Sequence, residues 1–210
     1  MKVLNLYAGI GGNRKLWPDR FKNGERVEIT AVEVNPNIAK IYKSFFPADN
    51  VIVGDAHQYL LEHFREYDFI WSSPPCQTHS RLYHSLSVCA GKAPPRYADM
   101  SLYQEIILLR KYCRCRWVVE NVMPYYGALI SPTFCLQRHF FWSNCMILER
   151  PFPSDNIRIR GKYVNHPKTH GFDVSKFDFL NRIEKRTVLR NCLAPEVGLY
   201  IFEQIFRETE

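Results

Sequence analysis

The sequence predicts an α/β fold, a mostly parallel sheet flanked by helices, and three observations predict it. Short apolar runs alternate with longer mixed stretches through the first half of the chain. The first run passes directly into a glycine turn, Tyr7-Ala8-Gly9-Ile10-Gly11-Gly12. Acidic residues close the next two runs, where the ends of parallel strands meet ligands.

The elements follow in chain order. Strands are expected over residues 2–7, 27–34, 51–53, 69–72 and 117–120, each a short apolar stretch, with a return strand through 140–148. The alternation places helices between them, from Arg14–Trp17 onward and over 36–46, 57–64 and 100–112. Residues 78–98 hold Gly91, Pro94 and Pro95, which oppose a long helix or strand and suit a mobile active-site loop. Residues 150–186 carry nine Lys or Arg against four Asp or Glu, interspersed with Tyr163, His166, His170, Phe172, Phe177 and Phe179. That makeup suits a strip that grips a phosphate backbone and stacks on bases. A last amphipathic helix is expected over 195–207, with Val197, Tyr200, Ile201 and Ile205 at helical spacing.

Whole-chain properties narrow the function. The 210 residues suit one full-sized core, and 46% hydrophobic content excludes a disordered chain. No apolar run reaches the roughly 18 residues that span a bilayer, and the N-terminus lacks a signal-peptide pattern, so a cytoplasmic protein with no membrane partner is expected. A net charge of +7 fits a polyanionic partner and equally fits solubility. Seven cysteines at irregular spacings argue against a disulfide framework. Cys113 and Cys115 form half a zinc pattern with no matching pair elsewhere; no metal is expected, and packing is their default role.

The chemistry concentrates at strand ends. The glycine turn lets the backbone approach a ligand closely, yet alone it does not choose among nucleotide-bearing ligands. Glu33 closes the second strand, where a carboxylate accepts from both ribose hydroxyls, and Asp55 follows the third within reach of an adenine amine. Ser72-Ser73-Pro74-Pro75-Cys76-Gln77 ends the fourth: two prolines fix φ and present Cys76 rigidly at the sheet's edge, where a thiolate is an available nucleophile. Glu120-Asn121-Val122 ends the fifth and sets a carboxylate beside that thiol.

In this order, Tyr7 to Gly12, Glu33, Gly54-Asp55, Pro74-Pro75-Cys76-Gln77 and Glu120-Asn121-Val122 resemble the DNA (cytosine-5) methyltransferase family. Downstream, Gln137-Arg138-His139 resembles its Gln/Arg motif, and Arg190-Asn191-Cys192-Leu193-Ala194-Pro195 its last cofactor motif. The resemblance implies a Rossmann-like S-adenosylmethionine-dependent methyltransferase fold with S-adenosyl-L-methionine as cofactor. It implies a cofactor site of Tyr7, Ala8, Gly9, Ile10, Gly11, Gly12, Glu33, Val34, Asp55, Ala56, Pro75, Asn191 and Leu193. Cys76 is then the nucleophile for C6 of a flipped-out cytosine, Glu120 the group that holds the ring, and Arg138 a charge-steadying or base-orienting side chain. Double-stranded DNA is the implied partner, with RNA, on a tRNA, as the alternative. Gln77, Ser80, Arg81, Lys92, Arg96, Arg158, Arg160 and Lys162 are the expected nucleic-acid contacts.

The chain departs from the family at several points. Arg138 is followed by His139-Phe140-Phe141 where a second Arg is usual, and Arg190 stands where Gly is expected. Residues 1–148 and 187–210 read as the catalytic domain, and 149–186 as a target-recognition segment too short for its own core. Short recognition sites, relaxed specificity and help from a second subunit stay open. A catalytically weakened nucleic-acid-binding homologue is the rival from another class.

Overall fold

The computed structural model describes residues 1–153 and 170–206. Seven strands form one sheet: β1 (Lys2–Leu6), β2 (Glu28–Glu33), β3 (Asn50–Val53), β4 (Phe69–Ser72), β5 (Arg116–Val122), β6 (Phe134–Leu136) and β7 (His139–Ser143). They lie in the order β3-β2-β1-β4-β5-β7-β6. The first five are parallel, and β7 and β6 close the far edge antiparallel. Helices α1 (Pro36–Phe45), α2 (Ala56–His63), α3 (Ser101–Tyr112), α4 (Arg182–Arg190) and α5 (Pro195–Phe206) complete the described elements of at least eight residues.

Both faces of the sheet are covered, which is why its strands read as unbroken apolar runs. Side chains alternate between the faces. Val3, Phe69, Trp71 and Val118 pack toward Val197, Ile201, Phe202 and Ile205 of α5. Leu4, Leu6, Ile70, Trp117 and Val119 pack toward Leu60 of α2 and Leu102, Ile106 and Leu109 of α3. Asn35 caps α1 and Asp55 caps α2, each accepting two backbone N–H bonds. Neighbouring β1 and β4 send their crossovers to opposite sides, so a crevice opens beyond their C-terminal ends.

Several expectations are corrected. The helix from Arg14 onward is absent: the segment is a run of turns before Pro18. Long-range bonds replace a helical ladder there. The buried Arg14 guanidinium donates to Asp49 at 3.1 Å, Asp19 at 2.6 Å and the Trp17 carbonyl at 2.9 Å, while Asn13 donates to Asn5 at 2.8 Å. The return strand stops at Ser143, and a two-residue turn, with Gln137 at φ 53°, joins it to β6, which sequence reading missed.

Residues 170–190 differ most from a base-stacking strip. Phe172, Val174, Phe177 and Leu180 are buried against Ile10 and Ile41, with Val188 and Leu189 of α4. Phe172 and Phe177 meet Phe45 edge-on at 4.9 and 5.9 Å between centroids, so neither is free to stack on a base. His170 is buried as well, and Phe179 is exposed. Tyr163 and His166 lie outside the described residues, as do Arg158, Arg160 and Lys162.

Candidate active site

The crevice beyond β1 and β4 is a cavity of about 870 Å³. Tyr7, Ala8, Gly9, Ile10, Gly12, Glu33 and Val34 line one side, Asn191 and Leu193 close it from the C-terminal segment, and Pro75, Cys76, Gln77, Ser80, Glu120 and Arg138 line the rest. One space therefore collects residues expected to hold the cofactor and residues expected to do the chemistry. Gly11, Asp55 and Ala56 stand outside this lining, as do Arg81, Lys92 and Arg96.

The glycine loop is shaped by three different constraints. Gly9 has φ 54°, and a Cβ added there meets nothing within 4 Å, so its side toward the cavity is open. Its N–H donates to Glu33 Oε2 at 3.0 Å, and Asn35 N–H donates to Oε1 at 2.9 Å. Each carboxylate oxygen keeps acceptor capacity for a ligand hydroxyl. Gly11 faces inward: a Cβ would come within 2.3 Å of the Phe46 ring. At Gly12 it would come within 2.7 Å of the Leu193 carbonyl, so a bare backbone is what lets residues 192–193 approach.

Beneath the loop lies a hub without a sequence motif. Glu105 of α3 is fully buried, and three groups converge on it. Tyr7, held at φ 54°, donates its hydroxyl at 2.5 Å; Ser72, at the end of β4, donates at 2.6 Å; His57 Nδ1 is 2.9 Å away. Burial and this carboxylate push the Tyr7 hydroxyl far above the ordinary tyrosine range. The hydrogen bond to Glu105 also raises His57. One carboxylate thus ties the cofactor-side loop, the start of α2 and the strand that leads to Cys76.

Beyond β4 the chain is fixed at the Pro74 carbonyl and at the Cys76 carbonyl. Asn121 Nδ2, buried on β5, donates to the Pro74 carbonyl at 2.9 Å, giving the Glu-Asn-Val motif a positioning member. The Cys76 carbonyl accepts from His79 and Ser80 N–H groups at 3.1 and 3.0 Å. Residues 78–98 form short helical turns, Arg81–Tyr83 and His84–Val88, consistent with the absence of a long element. Their base is pinned: Ser80 bridges Pro124, Arg81 donates to the Pro124 carbonyl at 2.8 Å, and His84 stacks on Tyr125 at 4.1 Å. Arg81 is thereby engaged in the scaffold, and Arg96 sits over the Tyr83 ring at 5.6 Å.

Electrostatics correct one expectation. Burial, then the neighbouring Glu120 carboxylate, pushes the Cys76 thiol up to about 11, against the pull of Arg138 and Arg190, so at rest it is a thiol and not a thiolate. Burial pushes Glu120 up to about 7 although Ser73 and Arg138 favour its charged form, so it shares its proton near neutrality. His139 lies on β7 with Nε2 3.6 Å from Glu120 Oε1. Burial and Arg138 push it down to about 3, so it is neutral. His139 and Arg190 line the cavity, as do Tyr83 and Asn13. None of these four is among the site residues expected from the sequence, although Arg190 departs there from the last cofactor motif.

Comparison with known proteins places this arrangement. Residues 1–86 match the family model described as C-5 cytosine-specific DNA methylase. The tRNA (cytosine(38)-C(5))-methyltransferase of Spodoptera frugiperda is 35% identical over 82 residues, covering 38% of this chain and 24% of that protein. The Homo sapiens protein of the same name is 31% identical over 84 residues, covering 39% and 21%. The matches thus span less than a quarter of these curated relatives' length. The solved structure of Entamoeba histolytica methyltransferase EhMeth aligns over 100% of this chain and 99% of its own, with TM-score 0.61 at 14% identity. The Rossmann-like methyltransferase fold read from the motifs is shown by this likeness, and the family resemblance is borne out over the first 86 residues.

Proposed function

We propose that this chain, matched over its first 86 residues to the C-5 cytosine-specific DNA methylases, transfers a methyl group from S-adenosylmethionine to C5 of a cytosine in nucleic acid. The observation that carries this reading is the single cavity lined by the glycine loop, Glu33, Cys76, Glu120 and Arg138 together. The donor set fits the cofactor: Glu33 offers acceptor positions to ribose hydroxyls, and the open side of Gly9 leaves room for close approach. Asn191 and Leu193 close the same space, and Asp55 stands just beyond it at the head of α2. When bound, S-adenosylmethionine supplies the electrophilic methyl group.

The chain's own residues account for the remaining steps. Glu120, protonated for much of the time at neutral pH, donates to N3 of the cytosine and stabilises the charge that develops in the ring. That same proton cancels the carboxylate charge that holds the Cys76 proton in place. Ring recognition and thiol activation are therefore coupled: the thiol loses its proton most readily once Glu120 has kept its own. Cys76 gives its proton to solvent as Sγ bonds to C6, and C5 becomes nucleophilic and accepts the methyl group. Water takes the C5 proton, and the electron pair left behind restores the C5–C6 double bond as the Cys76–C6 bond breaks and the thiolate leaves. Arg138 and Arg190 favour the thiolate on the way in and the leaving thiolate on the way out. A stacked cytosine exposes no C6 face, so the base reacts outside the stack.

Double-stranded DNA is the first substrate, with Gln77 and Ser80 of the cavity lining among its contacts. RNA is a second reading, favoured because both curated relatives are named for tRNA. A cytosine already unstacked in an RNA loop also spares the cost of flipping, which suits a short recognition segment. Methylation assays with duplex DNA and with tRNA, mapped to the modified base, test both. Transfer to cytosine C5 in duplex DNA is expected, transfer confined to tRNA rejects the DNA substrate, and no transfer to either rejects the enzyme reading. A second subunit for target recognition belongs to the same proposal, tested by comparing the activity of the isolated chain with that in extract.

A further inference from the structure

A second cavity, of about 750 Å³, lies at the other end of the sheet from the catalytic crevice, where α3 ends and β5 begins. Its lining includes Arg65, Lys111, Arg114, Tyr112, Cys113 and Cys115. The two thiols are in contact, with Sγ to Sγ at 2.9 Å, and both are half-buried. Their backbone is held: the Cys113 N–H donates to the Leu109 carbonyl at 3.1 Å, and the Cys115 carbonyl accepts from Asn144 Nδ2 at 2.8 Å. Among the described residues no group of three His, Cys, Asp or Glu is placed to hold a metal, so the pair has no third ligand.

We propose that Cys113 and Cys115 form a thiol–disulfide exchange site for a small anionic disulfide, whose carboxylates meet Arg65, Lys111 and Arg114. The hydrogen bond from Cys115 lowers the Cys113 thiol below its ordinary range, which marks Cys113 as the attacking sulfur. The same contact, then burial, raises Cys115, which holds the shared proton. Asp68 adds a small push on Cys115 in the same direction, and the C-terminal end of α3 also disfavours negative charge; Arg65, Lys111 and Arg114 line the cavity as partners for the carboxylates of the small disulfide. The Cys113 thiolate attacks one sulfur of the disulfide, forming a mixed disulfide and releasing one thiolate. Cys115 then gives its proton to solvent, and its thiolate attacks the Cys113 sulfur and releases the second. Two electrons pass from the protein pair to the small disulfide, leaving a Cys113–Cys115 bond and two free small thiols.

The test uses the full chain, reduced and kept from air, exposed briefly to glutathione disulfide, quenched with an alkylating agent and mapped by peptide mass spectrometry. Exposure alone favours Cys89, which is exposed. The expected result is a Cys113–Cys115 linked peptide forming at least about tenfold faster than any adduct on Cys89 or Cys76. Cys89 or Cys76 reacting as fast overturns the proposal. Neutral hydroxyethyl disulfide should react several-fold more slowly than glutathione disulfide, with the difference reduced in Arg114→Ser; equal rates in the wild type overturn the anionic ligand. Cys115→Ser should trap a stable mixed disulfide on Cys113. If that variant does not fold, the wild-type rates alone decide.

Discussion

Cys76 and Cys113 stand at opposite ends of parallel neighbours, one just past β4 and the other just before β5, and their surroundings push them in opposite directions. Cys76 has a carboxylate beside it and burial around it, and keeps its proton. Cys113 has a second thiol in contact with it, and loses its proton more readily. On the proposed mechanism, the difference teaches that a nucleophile can be held idle by the residue that later assists it. Glu120 guards Cys76 while the cavity holds no ring, and Cys113 has no such guard.

Replacing the guarded thiol should have the largest effect. Cys76→Ser is expected to lower methyl transfer by at least about a thousandfold while leaving cofactor affinity, measured by calorimetry with S-adenosylhomocysteine, within about twofold. Loss of cofactor binding in that variant would mean the two halves of the cavity are not separable. Next comes the guard. Glu120→Gln should cost about a hundredfold in rate, because an amide N–H is a weaker donor to N3 than a carboxyl O–H. In the same variant the resting Cys76 thiol should titrate lower, read from the pH dependence of its alkylation. In the wild type the initial rate should climb with pH and level off above about 7, where the proton lost by Glu120 offsets the thiolate gained by Cys76; in the variant the climb should continue.

A smaller effect tests the hub that carries both sides. Glu105→Gln and Tyr7→Phe should each weaken cofactor binding by about tenfold, whereas Ser72→Ala should act on turnover and spare affinity. Equal loss of melting temperature in all three with unchanged affinity would reduce Glu105 to a packing role. The smallest effect concerns acid stability. His139 is pushed down to about 3 from an ordinary 6.5, so its contribution is present above 6.5 and is lost as pH falls toward 3. Glu120, raised to about 7 from 4.5, contributes stability present below 4.5 and lost as pH rises through 7. The two slopes oppose between 4.5 and 6.5. Below 4.5 His139 acts alone of the pair, so the drop in melting temperature from pH 4.5 to 3 should be shallower in His139→Gln.

The parallel strands were legible because burial on both faces makes them apolar throughout, and their acidic and proline exits mark where they end. Cys76, Glu33 and Glu120 were legible for a related reason: each lies at or just beyond the C-terminal end of a strand. The turn segment after the glycine loop was not, because Arg14 is held by Asp49, thirty-five residues away, a contact that no local periodicity encodes. Helix α4 carried a readable signal, the capping box of Asn181 and Glu184, obscured by the basic composition around it. Composition also could not tell stacking aromatics from core ones, and Phe172 and Phe177 proved to be core. Glu105 was invisible because its partners come from three separate segments of the chain.

The approach of Gly12 to Leu193 has a counterpart at Gly198, where an added Cβ would lie 2.4 Å from the Asn13 carbonyl. The loop after β1 is therefore walled by α5. On a ribosome, where the chain emerges in order, strands β1 to β5 are exposed long before α5 exists to cover them. The apolar face of Val3, Phe69 and Trp71 waits uncovered, a natural target for a chaperone, and the cavity is completed only when residues 188–193 arrive. Synthesis and competence are thus separated in time: a nascent chain holds Cys76 and Glu120 well before it can wall in a cofactor.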